Sequence, residues 1–150
     1  MIKHTELRCG NWVYIPQYKD YFQIGQISEN GRFTTKGNVH SFSSIECMRK
    51  VPLTEKWLIS GGFTKVEDTT VFECFDYPYW VKNGVILLYN YSPPENTYRI
   101  GYAEMRCGKY HATLCKWIDS VHELQNFYLE TTGQELTFTD QTTKGRHTNT

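Results

Sequence analysis
The sequence predicts an α+β protein. An SH3-like small β-barrel over residues 1–52 leads through a short linking helix to an antiparallel sheet packed by one C-terminal helix. Three observations carry this reading. The first fifty residues hold four or five short β-rich runs separated by turn signals, as a small bent sheet requires. The second half repeats long β-rich runs around tight turns. Only SVHELQNFYLETTGQEL (residues 120–136) keeps a helical apolar period over several turns.

In the first module, NWVYI and YFQIGQIS are strands, with Gly25 marking a bend or bulge. Asn30-Gly31 has the composition of a two-residue hairpin turn. RFTT answers it, and VHSFSSIECMRKV supplies one or two further strands. PLTEKWLISGGF then reads as a helix of barely two turns. Thr54 is its cap, Leu53 and Leu58 form a hydrophobic staple, and Gly61-Gly62 ends it. So short a helix needs tertiary support, so it brackets residues 1–52 to residues 53–138, the two sharing a core.

The second module starts with TTVFECFDYPYW, turns at KNG and returns as VILLYNY. Apolar residues on both faces of that last run make it a central strand. TYRIGYAEM and YHATLCKWI continue the meander, and ELTF is a candidate final strand. Residues 139–150 are polar and Thr-rich, as in a flexible tail. In the helix, Ser120 and Glu123 have capping-box spacing, and Val121, Leu124 and Tyr128 form the apolar stripe flanked by Phe127. Gly133 stands where a C-terminal glycine belongs.

Composition narrows the function classes. Aromatic content is high, with 11 Tyr, 8 Phe and 4 Trp, which favours strands. The 16 Lys and Arg balance the 16 Asp and Glu, so no global field draws nucleic acid or an anionic membrane. No run approaches the roughly 20 apolar residues that span a bilayer, and MIKHTELRCGNW lacks a signal-peptide core. Five cysteines without CxxC spacing then imply reduced thiols in a cytoplasm.

Cys107, His111 and Cys115 are spaced by four, which invites a metal reading. Geometry opposes it, because a strand would separate the two cysteines by roughly 26 Å at about 3.3 Å per residue. Buried, inert thiols are expected instead. No nucleophile elbow, phosphate loop, dinucleotide fingerprint or zincin motif occurs, and the carboxylates are scattered. The expectation is a non-enzymatic binding or adaptor protein with no catalytic residue, cofactor or metal. Its partner would be a protein, with nucleic acid or a small nucleotide as the alternative, and no membrane.

Two groups of residues are candidates for binding. Trp12, Tyr14, Tyr18 and Tyr21, with Lys19, form an aromatic run that could stack on bases or dock a peptide, or could fill the barrel. DYPYW (76–80) is a second aromatic patch. In the C-terminal helix, His122, Gln125 and Asn126 are the polar residues that capping and the apolar stripe leave unexplained. They either fasten the helix to the sheet or reach a ligand, and fastening is the expectation, since buried amides and imidazoles usually pair locally.

LRCGNWVYI, VPLTEKWLISGGF and IDSVHELQNFYLETTGQEL occur in this order nearly end to end. Together they resemble a family of small proteins encoded in genomes, phages and mobile elements of Bacteroides-type gut bacteria. Members of that family read LRIGNWV, PLTEEWLLKFGF and YVHQLQNLYFALTGEEL. The matched positions are Gly10 to Val13, Pro52 to Glu55, His122, Leu124 to Asn126 and Tyr128; Cys9, Ser120, Glu123 and Leu129 to Thr131 depart. The resemblance implies a bacterial or phage cytosolic setting and carries no mechanism.

Overall fold
A computed structural model describes residues 2, 4–37, 41–42, 45–68, 72, 77–91 and 96–139. The expected tail from 140 onward, most of the TTVFECFDYPYW run and of the SPPEN loop, and Cys74 lie outside the described residues. Among the described residues the architecture is α+β, with two antiparallel sheets and two α-helices. Among the described residues no helix is long and apolar enough to cross a membrane.

The N-terminal sheet has the order β1-β2-β3-β4: Trp12–Ile15, Asp20–Ile27, Phe33–Thr35 and Ser41–Phe42. Among the described residues it is open, rather than the closed barrel expected. A 3-10 turn at Ile45–Cys47 follows β4, and Arg49 then bridges Tyr14 on the free side of β1 through two backbone hydrogen bonds. The β2–β3 register shifts across Gly25, the bulge expected from its place in the strand. A Cβ there would meet the Lys36 backbone at 2.9 Å, so the close strand approach requires glycine.

The β2–β3 connection corrects the expected two-residue turn. It occupies Ser28–Arg32, with Ser28 N–H donating to the Arg32 carbonyl and Gly31 N–H to the Ser28 carbonyl. The Ser28 hydroxyl donates to Asn30 Oδ1, and only Gly31 of the pair has positive φ. A type I′ two-residue turn demands the left-handed region of both central positions, and Asn30 does not adopt it.

The second sheet is β5-β6-β7-β8-β9: Thr64–Val66, Tyr79–Lys82, Val85–Tyr89, Tyr98–Arg106 and Lys109–Ile118. Asn83 and Gly84, both at positive φ, close the tight β6–β7 hairpin, and Cys107 and Gly108 do the same for β8–β9. β7 is central, and Val85, Ile86 and Leu87 are fully buried, so both of its faces are covered. No final strand forms at ELTF. Glu135–Thr139 is irregular, because Leu136 and Phe138 turn into the main core instead of joining a ladder.

α1 (Glu55–Ser60) and α2 (Val121–Thr132) complete the fold. Thr54 and Ser120 have the extended backbone of caps but make no side-chain cap hydrogen bond. The capping box at α2 closes differently from expectation. The Ser120 hydroxyl donates to Glu123 Oε1 at 2.7 Å, and that oxygen accepts the amide of Asp119 instead of the cap residue's own. Gly62 and Gly133 supply the left-handed residues after the two helices.

β1 explains how the two sheets meet. Its alternate side chains Val13 and Ile15 enter one cluster with Leu7, Phe22, Ile24 and Phe33. Trp12 enters the main cluster, which also holds Val51, Leu53, Trp57, Leu87, Ile100, Leu124 and Phe138, with Tyr14 packed against it. Period-two alternation therefore gives β1 two buried faces, one toward its own sheet and one toward α1 and the second sheet. Trp57 stands at the centre, with ring centroids 5.7 Å from Trp12, 5.5 Å from Tyr21 and 5.1 Å from Phe138.

Candidate functional site
The polar face of α2 meets the N-terminal segment. Gln125 is buried; its Oε1 accepts the Trp12 amide at 2.9 Å and its Nε2 donates to the Gly10 carbonyl at 2.9 Å. Asn126 Oδ1 accepts from Asn11 Nδ2 at 2.9 Å, and Asn126 Nδ2 donates to the Glu6 carbonyl at 2.6 Å. His122 is fully buried with Nε2 3.3 Å from Glu6 Oε2. A carboxylate only accepts, so the proton sits on Nε2. Buried Nδ1 then has no partner among the described residues.

Burial holds the His122 pKa below its ordinary value, against the opposing pull of Glu6. Nearby, burial and the hydrogen bond to Asp119 push the Glu123 carboxyl up. Burial acts the same way on Asp119, but its hydrogen bond with Glu123 and the charge of Lys50 outweigh it and hold that carboxyl down.

The middle segment joins the same junction. Pro52 bridges Ser120, the Leu53 amide donates to the Asp119 carbonyl, and the Val121 amide donates to the Val51 carbonyl. Thus residues 10–12, 51–53 and 119–126, far apart in sequence, share one hydrogen-bonded seam. Arg8 closes it from outside, reaching the Gln125 carbonyl at 2.9 Å and Glu135 at 2.8 Å.

The aromatic run is divided by the fold. Trp12 is buried, and Tyr14 and Tyr21 are half-buried in edge contact with each other. Tyr18 is 43% exposed and lies edge-on to Phe22, while Lys19 is exposed in the β1–β2 turn at positive φ. The structure brings Trp12, Tyr14 and Tyr21 together around α1 and leaves Tyr18 and Lys19 at the rim.

The cysteines correct one expectation. Cys107 and Cys115, expected to be buried, are exposed free thiols, as are Cys9 and Cys47. Cys107 occupies the β8–β9 turn and Cys115 lies beside a register shift, and neither position faces a core. Among the described residues no group of three metal-ligating side chains converges.

An aromatic cleft lies elsewhere, where β5, β6, β7 and β8 pass the start of α1. It encloses about 320 Å³ and is lined by Glu55, Lys65, Pro78, Trp80, Tyr89, Tyr91, Asn96 and Tyr98. Cross-strand pairing puts Lys65 opposite Trp80 and Tyr89 opposite Tyr98. A tyrosine ladder runs inward from the surface: Tyr77 to Tyr91 at 4.8 Å, Tyr91 to Tyr89 at 5.1 Å, and Tyr89 to Tyr98 at 5.2 Å. Tyr77 and Tyr91 are 57% and 60% exposed, whereas Tyr98 and Trp80 form a buried floor. Burial, with the negative charge of Glu55, drives the Tyr98 phenol far above its ordinary value, so it remains an O–H.

Among the described residues the rim carries one charge of each sign. Lys65 lies 3.6 Å from Glu55 and 6.0 Å above the Trp80 ring. An aromatic wall of tilted and edge-on rings, with hydroxyl donors and balanced rim charges, suits an uncharged, extended ligand better than a phosphate. A second concavity of about 350 Å³, lined by Cys9, Gln26, Ile27, Ser28, Arg32 and Thr34, has neither an aromatic wall nor more than one cation.

Sequence reasoning reached Tyr77, Pro78 and Trp80 through the DYPYW run but missed Tyr89, Tyr91, Asn96 and Tyr98. Their signal lay only in register: exposed Tyr91 beyond the end of β7 and buried Tyr98 opening β8. Compared with protein-family models, curated proteins and solved structures, the chain matches none of them.

Proposed function
We propose that the protein is a non-enzymatic binding or adaptor protein of a bacterial or phage accessory system, and that it takes an extended, proline-rich protein segment in the Trp80–Tyr91 cleft. The observation that carries this reading is the tyrosine ladder rising from a buried Trp80–Tyr98 floor to exposed Tyr77 and Tyr91. A polyproline II segment has no internal hydrogen bonds, so its carbonyls seek donors while its rings pack on aromatic faces. Tyrosine hydroxyls and the Asn96 amide are donors of that kind. The bacterial or phage setting, and a cytoplasmic location, rest on the resemblance of the three motif segments. The open N-terminal sheet belongs in this reading to the SH3-like small barrels, supported by the 3-10 turn that leads to the Arg49–Tyr14 bridge.

A decaproline peptide titrated into the labelled chain tests the proposal. The Trp80 indole and the Tyr91 amide should shift, and Tyr91→Ala should weaken binding about five- to tenfold, the worth of one aromatic contact. If oligo(dT) or AMP shifts these signals and decaproline does not, the nucleic-acid or nucleotide alternative replaces it. Steep loss with salt would mark phosphate contacts.

A further inference from the structure
The second sheet has two unequal edges. β5 is three residues long, whereas β9 has ten. A long edge presents a row of unpaired N–H and C=O groups to which another strand can add. From Arg106 opposite Lys109 to Gly101 opposite Leu114, β9 keeps regular register with β8; the shift comes only at Ile100/Gly101. Lys109–Leu114 is therefore a straight template of roughly 20 Å, at about 3.3 Å per residue. Among the described residues no strand pairs with its outer side.

The two faces of this template differ in chemistry. Alternation puts Tyr110, Ala112 and Leu114 on one face, where Ala112 and Leu114 pack against Phe72, Tyr79 and Ile86. Lys109, His111 and Thr113 lie on the other, continued past the shift by Lys116. β9 contains no acid. Glu104, opposite His111, is engaged by Arg106 at 3.1 Å, and no carboxylate among the described residues forms an ion pair with Lys109 or Lys116. A second copy adding antiparallel in a register centred on Lys109 to His111 would set Lys109 or His111 against a basic residue, which disfavours self-pairing there. Acidic side chains at alternate positions would meet them, and apolar residues between would extend the Tyr110–Leu114 row.

We infer that the free edge of β9, over Lys109–Leu114, receives an extended segment of a partner protein that alternates acidic and apolar residues and becomes a sixth strand. The surface uses no residue of the aromatic cleft and stands independently of it. The opposing account is that the register shift and the lysines merely guard the edge against unwanted pairing.

Amide hydrogen exchange on the labelled full chain separates these accounts. The probes are an alternating Glu-Val decapeptide, its Lys-Val counterpart and oligo(dT). The Glu-Val peptide should slow exchange at alternate amides of Lys109–Leu114. Lys109→Glu, at an exposed position whose folding the same spectrum reports, should weaken that binding about tenfold while Tyr91→Ala leaves it unchanged. Equal protection by the Lys-Val peptide, protection by oligo(dT) instead, or protection by none of the three would overturn the inference, the last outcome leaving a guarded edge only.

Discussion

The carboxamide of Gln125 holds both polar groups of the chain around Asn11: Oε1 accepts the Trp12 amide and Nε2 donates to the Gly10 carbonyl, each at 2.9 Å. One buried side chain on α2 thus acts like an extra strand residue beside β1. Asn126 and His122, a turn apart on the same helix, continue the seam to Asn11 and Glu6. The polar face of α2 is occupied by the protein's own backbone and side chains.

Asn126→Asp tests the end of that seam. The carboxylate would still accept from Asn11 but would point an acceptor at the Glu6 carbonyl, where Asn126 donates at 2.6 Å. The expected loss is about 2 kcal/mol, that of an unmade buried hydrogen bond, read by urea unfolding. An unchanged midpoint would mean that Glu6 finds another donor.

His122 gives the junction a pH dependence. Its folded pKa lies below the ordinary 6.5, because burial disfavours the cation. The unfolded chain therefore binds the proton more readily, so this contribution to stability is complete above pH ~6.5 and is lost as pH falls from there through the folded value. Carboxylates add their own acid dependence, so the readout is the difference between wild type and His122→Gln. That difference in Tm should change between pH 7.5 and 5. A constant difference would show that His122 does not titrate between the two states.

Two glycines of the β8–β9 hairpin should respond differently to alanine. At Gly101 a Cβ would stand 1.9 Å from the Thr113 carbonyl oxygen, so the strands must separate. At Gly108 nothing lies within 4 Å, and the cost is only that of φ +76, about 1–2 kcal/mol. Gly101→Ala should therefore be the more damaging in thermal denaturation and should broaden the amides of Thr113 and Leu114. Equal effects would mean that the register at Ile100/Gly101 can slip.

Trp57 joins the two sheets through α1. Trp57→Ala removes contacts with Trp12, Tyr21 and Phe138 together, with an expected cost of about 3–5 kcal/mol. Loss of cooperativity, with the two sheets melting separately, is the accompanying sign in calorimetry.

The elements legible in the sequence were those with local signals: Gly133 after a helical stripe, Asn83-Gly84 between apolar runs, Gly25 inside a strand. What escaped depended on distant partners. Trp12 and Tyr14 have the parity of a strand's inner face, but nothing in NWVYI says that Trp57 will cover that face. ELTF has strand composition, yet the hollow beside Trp57 draws Phe138 inward before a ladder can form. Cys107 and Cys115 read as buried because cysteine usually is; Cys107 instead stands exposed in the tight β8–β9 turn. The aromatic cleft draws on α1 and four strands, so no spacing in the chain could reveal it. Only the pairing of Tyr89 with Tyr98 and of Lys65 with Trp80 assembles it.

The central claim is that the polar face of α2 fastens the fold and that ligand is taken at the aromatic cleft. Urea unfolding of Gln125→Ala tests it most directly. Truncation leaves the buried Trp12 amide without its partner, whereas the Gly10 carbonyl keeps the Gln23 carboxamide at 3.0 Å, and stability should fall by about 1–3 kcal/mol, the cost of one orphaned group. A variant as stable as the wild type, with decaproline binding lost, would contradict the account and return Gln125 to the ligand.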